Sequence, residues 1–266
     1  MKLTIVSDLH LESDPYYKIW TGEDSSDRTL VLAGDIAPLI YLTTNCDSIY
    51  SKNIINFFNH ISDRFKNIVY VPGNHEYYYG NIYSLDDQFR KAIIENKWNN
   101  IHYLNCDHVE LDGKRFVGCT LWTSVYDENP IAMAVDYKMM ADYKCIVRNG
   151  KPLRPVHTVA IHKEHLRFLK RTIQEGDIVI THYPPSEQSI SFKFKGNRLN
   201  PFFYNSLDDL IIGSKAAMWV HGHTHVHMDY KINNTHIICN PKGYFNPYKY
   251  DSPENPYYDD TRIFEI

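Results

Sequence analysis

Metal-binding side chains recur along this sequence, and each one lies at or close behind the end of a short apolar run. The set consists of Asp8, His10, Asp35, Asn74, His182, His223 and His225. Residues two positions apart in an extended chain point to the same side. One cation can therefore be bound by the pair Asp8 and His10, and another by the pair His223 and His225. Imidazoles mixed with carboxylates suit manganese, iron or zinc better than an all-oxygen calcium or magnesium cage.

Each of these pieces is weak by itself, because a solitary histidine is usually a surface or core residue and a Gly-Asp pair is usually a turn. Their combination is more specific. Five pieces occur in a fixed order, each at the end of a strand-like run, and together they offer seven ligands and one further imidazole, His75. We therefore interpret them as parts of one metal site.

The elements that must position these residues are short runs rich in Val, Ile and Leu, which are typical of buried strands. They span residues 3–6, 30–33, 68–71, 178–180 and 218–220. Open α/β sheets bind ligands at the carboxyl ends of their strands, so five such ends can converge on one crevice. Helical spacing occurs over 48–61, 84–98 and 156–173.

Other segments predict strands that carry no ligand. Residues 101–104, 108–111 and 115–121 have the pattern of neighbouring strands in a meander, and Tyr230 to Cys239 that of a final hairpin turning at Asn233-Asn234. Residues 244–260 are dense in Tyr, Pro, Asn and Asp, which predicts an irregular surface segment. Alternating β and α signals run nearly end to end, so we expect a single domain over residues 1–266.

The composition restricts the classes of binding partner that we expect. The formal net charge of −4 and the pI near 6.4 give no reason to expect a long nucleic-acid duplex or an anionic membrane surface as partner. No secretion signal or membrane-spanning run is visible, and the five cysteines, Cys46 among them, lack C-x-x-C spacing. We expect a reduced, cytoplasmic protein without a disulfide framework or a zinc ribbon.

The ordered motifs D-x-H, G-D, G-N-H-E, H and G-H-x-H, spanning residues 8–225, resemble those of the calcineurin-like metallophosphoesterase superfamily. The segment Asn240-Pro-Lys-Gly-Tyr244 is similar to one in its bacterial and phage-type branch. The resemblance implies an α/β fold, a four-layer αββα sandwich of two mixed sheets, with a dinuclear centre at their common edge.

Carried over position by position, the resemblance implies that Asp8, His10 and His225 hold one divalent ion and that Asn74, His182 and His223 hold the other. Asp35 would bridge the two ions, and His75 would be the catalytic acid. Manganese is the expected metal, with iron, zinc, nickel or magnesium as alternatives. A metal-activated hydroxide would be the nucleophile, and Glu76 would brace the loop.

The chain departs from the family pattern at one position. Many relatives place an Asp three residues after the bridging Asp, where it orients the acid histidine, but this position is Pro38 here. His75 must therefore find another partner or act unassisted.

The segment after the fourth ligand strand offers candidate substrate contacts. Lys193, Lys195 and Arg198 alternate with phenylalanines and could hold phosphate while an aromatic ring stacks on a base. The same alternation is typical of a strand with Phe inward and Lys outward, which is the interpretation the pattern favours. Tyr77, directly after the acid motif, is a further candidate for the cleft, and the basic stretch 138–154 is either a cap or a solvated connection.

We expect hydrolysis of a small phosphomonoester or phosphodiester, with a nucleotide-like substrate preferred over protein phosphate. The acidic balance and the length argue against a DNA-clamping nuclease, and Gly34-Asp35-Ile36-Ala37-Pro38 lacks the longer Gly-Asp-x-x-Asp-Arg-Gly element of protein phosphatases. The alternative from another class is a catalytically silent scaffold for protein binding. His221 and His227, which flank the last ligands, are candidates to support them. The oligomeric state stays open.

Overall fold

The computed structural model of the chain describes residues 1–14, 16–19, 25–43, 48–245 and 254–266. Its strands are β1 (Lys2–Val6), β2 (Arg28–Ala33), β3 (Asn67–Val71), β4 (Ile101–Tyr103), β5 (Asp107–Leu111), β6 (Lys114–Cys119), β7 (Val147–Arg148), β8 (Lys151–Pro152), β9 (Ile178–Thr181), β10 (Met218–His221), β11 (Met228–Ile232), β12 (Thr235–Cys239) and β13 (Phe264–Glu265). Its helices are α1 (Ile40–Thr43), α2 (Ile49–Arg64), α3 (Leu85–Glu95), α4 (Val125–Glu128), α5 (Pro130–Ala134), α6 (Asp142–Cys145), α7 (Pro155–Thr172) and α8 (Asp208–Ser214).

Two mixed sheets form the centre of the molecule. The first has the order β13-β1-β2-β3-β4, with only β13 antiparallel to its neighbour, and the second has the order β11-β12-β10-β9-β6-β5. In the second sheet the inner strands β12, β10, β9 and β6 are parallel, while β11 and β5 run antiparallel at its edges. The five predicted ligand-bearing strands are β1, β2 and β3 of the first sheet, and β9 and β10 of the second.

The register brings strand ends level within each sheet. Val6 pairs with Leu32, and Ala33 pairs with Val71, so β1, β2 and β3 end side by side. In the second sheet Val220 pairs with Ile180 at the corresponding ends of β10 and β9. Because parallel strands present their carboxyl ends at one edge, the residues after these strands emerge together.

An apolar core fills the space between the two sheets. Leu3, Val31 and Val69 from the first sheet pack with Ile180 and Val220 from the second, and all five are fully buried. The β-branched and leucine side chains alternate along each strand, so the opposite faces of the same strands are also apolar.

Helices cover those outer faces. Helix α2 packs against β3 of the first sheet, while α7 packs against β6 and α8 against β11 of the second. Outer-face residues such as Tyr70 and Trp219 belong to a second, larger apolar cluster together with helix residues such as Phe58 and Leu169. The order of layers is helix, sheet, sheet, helix, which confirms the predicted αββα sandwich.

One predicted connection is wrong. Strand β4 does not form a meander with β5 and β6, because β4 pairs with β3 in the first sheet while β5 and β6 pair in the second. The chain crosses between the sheets at residues 104–106, where Leu104 is buried in the core between them. The final hairpin is confirmed: Ile232 pairs with Thr235, so Asn233-Asn234 form its two-residue turn.

Three further expectations concern disulfide bonds, membrane-spanning helices and the segment 244–260. Cys106, Cys119, Cys145 and Cys239 are free thiols, while Cys46 lies outside the described residues. In the described part of the chain, no helix has the length and apolar character needed to cross a membrane. In the predicted irregular segment 244–260, the described residues form no helix or strand, and residues 246–253 lie outside the description.

Gly118 of β6 packs closely against Val71 of the first sheet and against Leu104. A Cβ there would lie 2.5 Å from Val71 Cγ2 and 3.0 Å from Leu104 Cβ. We predict that Gly118→Ala lowers the free energy of unfolding by about 1–3 kcal/mol, because the added methyl overpacks the interface between the sheets. Urea unfolding measures this change. Gly213→Ala in α8 is the control, since a Cβ there meets nothing within 4 Å; equal midpoints for both variants would contradict the prediction.

Candidate metal centre

The seven predicted ligands meet in one crevice at the shared edge of the two sheets. They arrive from five strand ends: Asp8 and His10 follow β1, Asp35 follows β2, Asn74 follows β3, His182 follows β9, and His223 and His225 follow β10. Donor atoms of Asp8, His10 and His225 lie within 4.8 Å of one another, and so do those of Asp35, His182 and His223. Residues up to 217 positions apart in the chain therefore form one cluster.

The backbone at these strand ends is unusual. Asp8, His10, Asp35, His223 and His225 all have positive φ angles, between 46° and 73°. A residue with a side chain rarely adopts this left-handed conformation, which costs on the order of 1 kcal/mol and is concentrated at functional sites. The sharp turns redirect the chain out of each strand so that the side chains face the crevice.

Two glycines allow the strand ends to approach each other. A Cβ at Gly73 would overlap the Asp35 carboxylate, and a Cβ at Gly222 would lie 2.7 Å from Asp8 Oδ2. These side chains occupy the space that any other residue would fill. The Gly-Asn and Gly-His pairs of the sequence are thus required by close packing at the site.

The first group joins β1 to the loop after β10. His10 Nε2 lies 3.0 Å from His225 Nε2, which in turn lies 3.4 Å from Asp8 Oδ1. Three donor atoms from two sheets therefore face a common point.

The second group surrounds the His182 ring. His182 Nε2 lies 3.1 Å from Asn74 Oδ1, 3.2 Å from His223 Nδ1 and 3.3 Å from Asp35 Oδ2. The same Asp35 oxygen lies 4.0 Å from His10 Nε2 of the first group. Asp35 thus stands between the two groups, where one carboxylate can serve both.

The buried carboxylates of the crevice require compensating positive charge. Burial opposes ionisation of Asp8, yet its contact with His225 lowers the pKa of that carboxyl to about 2. Burial likewise disfavours charge on His182 and His225, but Asp35 raises the pKa of the first to about 9 and Asp8 raises that of the second to about 10. Cations must neutralise these carboxylates, and a metal ion does so by displacing the imidazole protons.

His223 fits a metal in a different way. Its burial lowers the pKa of the imidazole to about 3, so the ring is neutral. Nδ1 of this ring faces the second group, 3.2 Å from His182 Nε2, while Nε2 is buried with no hydrogen-bond partner among the described residues. A neutral imidazole beside carboxylates and an amide oxygen is a donor set for a divalent transition metal. The residues therefore fit the ions that the sequence predicts.

A further set of groups holds the ligands in place. Glu254 Oε2 lies 2.9 Å from His225 Nδ1, and the Ala33 carbonyl oxygen lies 2.9 Å from His182 Nδ1. Each contact occupies one ring nitrogen and leaves Nε2 for the centre of the crevice. The fully buried Glu76 carboxylate accepts hydrogen bonds from the Gly73 and Asp35 backbone N–H groups, at 2.6 and 2.8 Å, in agreement with a bracing role.

His75 lies beside both groups. Its Nδ1 is 2.9 Å from Glu12 Oε1, its Nε2 is 3.2 Å from the Tyr244 hydroxyl, and its ring stacks on Tyr78 with centroids 4.0 Å apart. Burial opposes a charge on this imidazole, but the carboxylates of Asp35 and Glu12 raise its pKa to about 9. In the metal-free chain these carboxylates therefore favour the protonated imidazole.

An open pocket of about 330 Å³ lies over the two groups. Asp35, Asn74, His75, His223 and His225 form part of its wall. Tyr78, Asp142, Lys193, Phe194 and Tyr244 complete much of the rest. The pocket gives a small ligand access to the predicted metal ligands.

The four predicted substrate contacts have different placements. Lys193 lines the pocket, whereas Lys195 is exposed and Arg198 forms an ion pair with Asp136. Tyr77 is 2% exposed, and its hydroxyl donates to Asp86 at 2.9 Å, so it belongs to the core and Tyr78 takes the place at the cleft. The strand interpretation of this segment is wrong, because Phe192–Phe194 form a 3-10 turn with Phe192 85% exposed.

Sequence reasoning missed four residues at the centre: Glu12, Asp142, Glu254 and Tyr244. The carboxylate of Asp142 accepts from the Asn74 side-chain amide at 2.7 Å and from the Tyr78 hydroxyl at 2.9 Å. Asp142 belongs to the stretch 138–154, which sequence reasoning identified only as basic because of its lysines and arginines. Glu12 does carry a signal, since it extends Asp8-x-His10 by one further alternate position.

The two flanking histidines differ in their surroundings. His221 is fully buried, with Nε2 2.8 Å from Ser189 Oγ and Nδ1 3.0 Å from the Gly222 carbonyl oxygen. It thereby anchors the loop that carries His223. His227 is only half-buried, and its ring lies near Tyr257 with centroids 6.5 Å apart.

Comparisons with known proteins agree with this geometry. A family profile described as calcineurin-like phosphoesterase matches residues 1–227. An uncharacterised protein of Acanthamoeba polyphaga mimivirus is 30% identical to the chain, with 93% of this chain and 95% of the viral protein covered. The crystal structure of a phosphopantetheinyl hydrolase from Mycobacterium tuberculosis has a similar fold, with a TM-score of 0.67 and 16% identity over 91% of this chain and 89% of that one.

Asp35 is the test of a two-group site. We predict that Asp35→Ala reduces bound manganese from about two ions per chain to one or fewer, because the carboxylate between the groups is lost. Elemental analysis after metal stripping and reloading measures the stoichiometry. Asp209→Ala, which removes an exposed carboxylate in α8, is the control and should bind as the unaltered chain does. Two ions retained by Asp35→Ala would refute its bridging position.

Proposed function

We propose that this chain, which belongs to the calcineurin-like phosphoesterase family and is a metal-dependent phosphoesterase, works with two divalent ions and hydrolyses a small, nucleotide-like phosphoester. The observation that carries the proposal is the meeting of two donor groups on either side of Asp35, with its Oδ2 3.3 Å from His182 Nε2 and 4.0 Å from His10 Nε2.

We assign Asp8, His10 and His225 to one ion, and Asn74, His182 and His223 to the other, with Asp35 shared. When bound there, two divalent ions supply Lewis acidity to the phosphoryl oxygens and lower the pKa of the attacking water. Mixed nitrogen and oxygen donors favour manganese, with iron, zinc, nickel and magnesium as alternatives.

The protein's own contribution to bond breaking is His75. Its Nδ1 is occupied by Glu12, so Nε2 is the ring nitrogen that faces the pocket. As the phosphorus–oxygen ester bond breaks, the Nε2 proton passes to the leaving oxygen, which then departs as a neutral alcohol. A substrate with a poor leaving group needs this proton most.

Two features next to the centre favour a nucleotide-like substrate. Lys193 lines the pocket over the metal ligands, where its ammonium group can neutralise a phosphate oxygen. A second cavity of about 210 Å³, here called the side pocket, shares Phe194, Phe203 and Thr224 with the first. Ile190 and Leu199 add apolar walls to the side pocket, and Asn197 and Asn200 add amides.

The side pocket suits a flat, partly polar group. Its volume of about 210 Å³ leaves room for a nucleobase. The Phe194 ring can stack on such a base, while an amide binds the base edge. A phosphoryl group at the metal ligands would then connect directly to a nucleoside in the side pocket.

Metal-dependent hydrolysis is the direct test of the activity. We predict that metal-stripped protein regains turnover of p-nitrophenyl phosphate or bis-p-nitrophenyl phosphate when manganese is restored, and that His75→Ala binds the same ions but turns over the corresponding phenyl ester poorly. The loss should be about 10²–10⁴-fold for an ester with a poor leaving group. Release of alcohol and metal content are measured on the same samples.

Nickel, zinc, iron and magnesium, restored one at a time, serve as the comparison. Faster hydrolysis of the monoester or of the diester would assign the preference of the protein. Two bound ions with no hydrolysis of either ester would contradict the activity and favour a scaffold that binds protein.

Phe194 tests the nucleotide proposal. We predict that Phe194→Ala raises KM about tenfold for the p-nitrophenyl ester of thymidine 5′-phosphate, because a stacked base contributes about 1–3 kcal/mol. KM for methyl p-nitrophenyl phosphate, which has the same leaving group and no base, should hardly change. Phe192→Ala is the control, since this ring is 85% exposed and lines neither pocket. An equal KM increase for both esters would contradict base binding.

A further inference from the structure

The absence of a carboxylate at Pro38 leaves His75 without the partner that the family pattern supplies. The described carboxylates near His75 are those of Glu12, Asp35 and Asp142. Asp35 Oδ2 is 4.0 Å from His75 Nε2, which is beyond hydrogen-bond distance. The Asp142 carboxylate contacts Asn74 and Tyr78 instead. Glu12 alone of the three bonds the imidazole, at 2.9 Å from Nδ1.

We propose that Glu12 replaces the missing aspartate as the positioning residue of His75, and that the same oxygen orients the metal ligand His10. The inference rests on the proposed function and deepens it. Glu12 Oε1 lies 2.9 Å from His75 Nδ1 and 3.0 Å from His10 Nδ1, and the two imidazole rings meet edge-on with centroids 4.5 Å apart. One carboxylate oxygen therefore serves two histidines.

The backbone explains why Glu12 reaches this place. After β1 the chain bonds to the segment after β2, with His10 N–H to the Asp35 carbonyl at 3.0 Å and Leu11 N–H to the Ile36 carbonyl at 2.9 Å. These bonds hold the segment that carries Glu12 alongside the segment that begins at Asp35. The Glu12 side chain is only 21% exposed, and its second oxygen, Oε2, is buried with no partner among the described residues.

The consequence for His75 is a fixed ring orientation. In the doubly protonated imidazolium that serves as the acid, Nδ1–H donates to Glu12, and Nε2–H faces the pocket and supplies the proton that the leaving oxygen receives. His10 is held in the same way, with Nδ1–H on Glu12 and Nε2 facing His225. The acid and the first ligand group thus have their orientation set by a single side chain, so the distance between them is fixed.

The test compares Glu12→Gln with a matched control. Glu254→Gln weakens another carboxylate contact in the centre, to His225 Nδ1, and its oxygen can still accept from the Tyr244 N–H; Glu254 has no direct contact with His75. Turnover is measured with p-nitrophenyl and phenyl esters of the type that the protein accepts, and bound manganese is counted for every variant. We expect Glu12→Gln to keep both ions and to lose about 10–100-fold on the phenyl ester but less than about threefold on the p-nitrophenyl ester. Glu254→Gln should affect both esters equally.

A double variant separates positioning from a general structural effect. If Glu12 acts through His75, adding Glu12→Gln to His75→Ala causes no further loss on the phenyl ester. Glu12→Asp should recover part of the phenyl-ester rate, because a carboxylate is restored. Multiplied losses in the double variant, or equal losses on both esters at saturating manganese, would each overturn the proposal.

A measurement without turnover keeps the inference distinct from the activity. In metal-free protein labelled with nitrogen-15, the His75 Nδ1–H proton should give a downfield resonance that His75→Ala and Glu12→Gln both remove. Its persistence in Glu12→Gln would overturn the proposal. If the unaltered chain hydrolyses nothing but this resonance behaves as expected, the proposed activity fails while the Glu12–His75 contact stands.

Discussion

The site depends on one buried carboxylate, that of Glu76, which joins the ends of two strands. Oε2 accepts from the Gly73 and Asp35 N–H groups, and Oε1 accepts from the Ile36 N–H at 2.7 Å and the Tyr70 hydroxyl at 2.7 Å. A buried charge is tolerated only when such donors surround it. Because Asp35 follows β2 and Asn74 follows β3, this single group sets the spacing between Asp35 and Asn74.

The remaining strand ends are joined by the chain after β12. Asn240 donates its side-chain amide to the Ile5 carbonyl at 2.8 Å, and Gly243 donates its N–H to the Asp8 carbonyl at 2.9 Å. This run, parallel to the residues that follow β1, brings Tyr244 over His10, with ring centroids 4.2 Å apart. The segment whose sequence indicates only ancestry therefore closes one side of the centre, and it connects the two sheets through the first ligands.

The features of the fold and the site that depend on local sequence can be predicted, whereas those that depend on contacts between distant elements cannot. The runs before Asp8, Asp35 and Asn74 are continuous and apolar, so their strands and the ligands behind them are readable without a structure. The burial of Tyr77 is not, because it depends on Asp86 in another element. The crossing of the chain from β4 to the second sheet cannot be predicted either. The strands before and after the crossing have the same sequence pattern, and only tertiary packing decides which sheet each one joins.

The same distinction explains why the partner of His75 escapes a motif search. A family pattern records positions, whereas the chemistry requires a carboxylate oxygen at one point in space. In this chain the point is reached from β1 by Glu12 instead of from the β2 loop, where Pro38 stands. Since β1 and β2 are adjacent parallel strands ending level, residues beyond their ends are neighbours, and either strand end can supply the group. Loss of a motif position therefore does not imply loss of the interaction where adjacent strands feed a common edge.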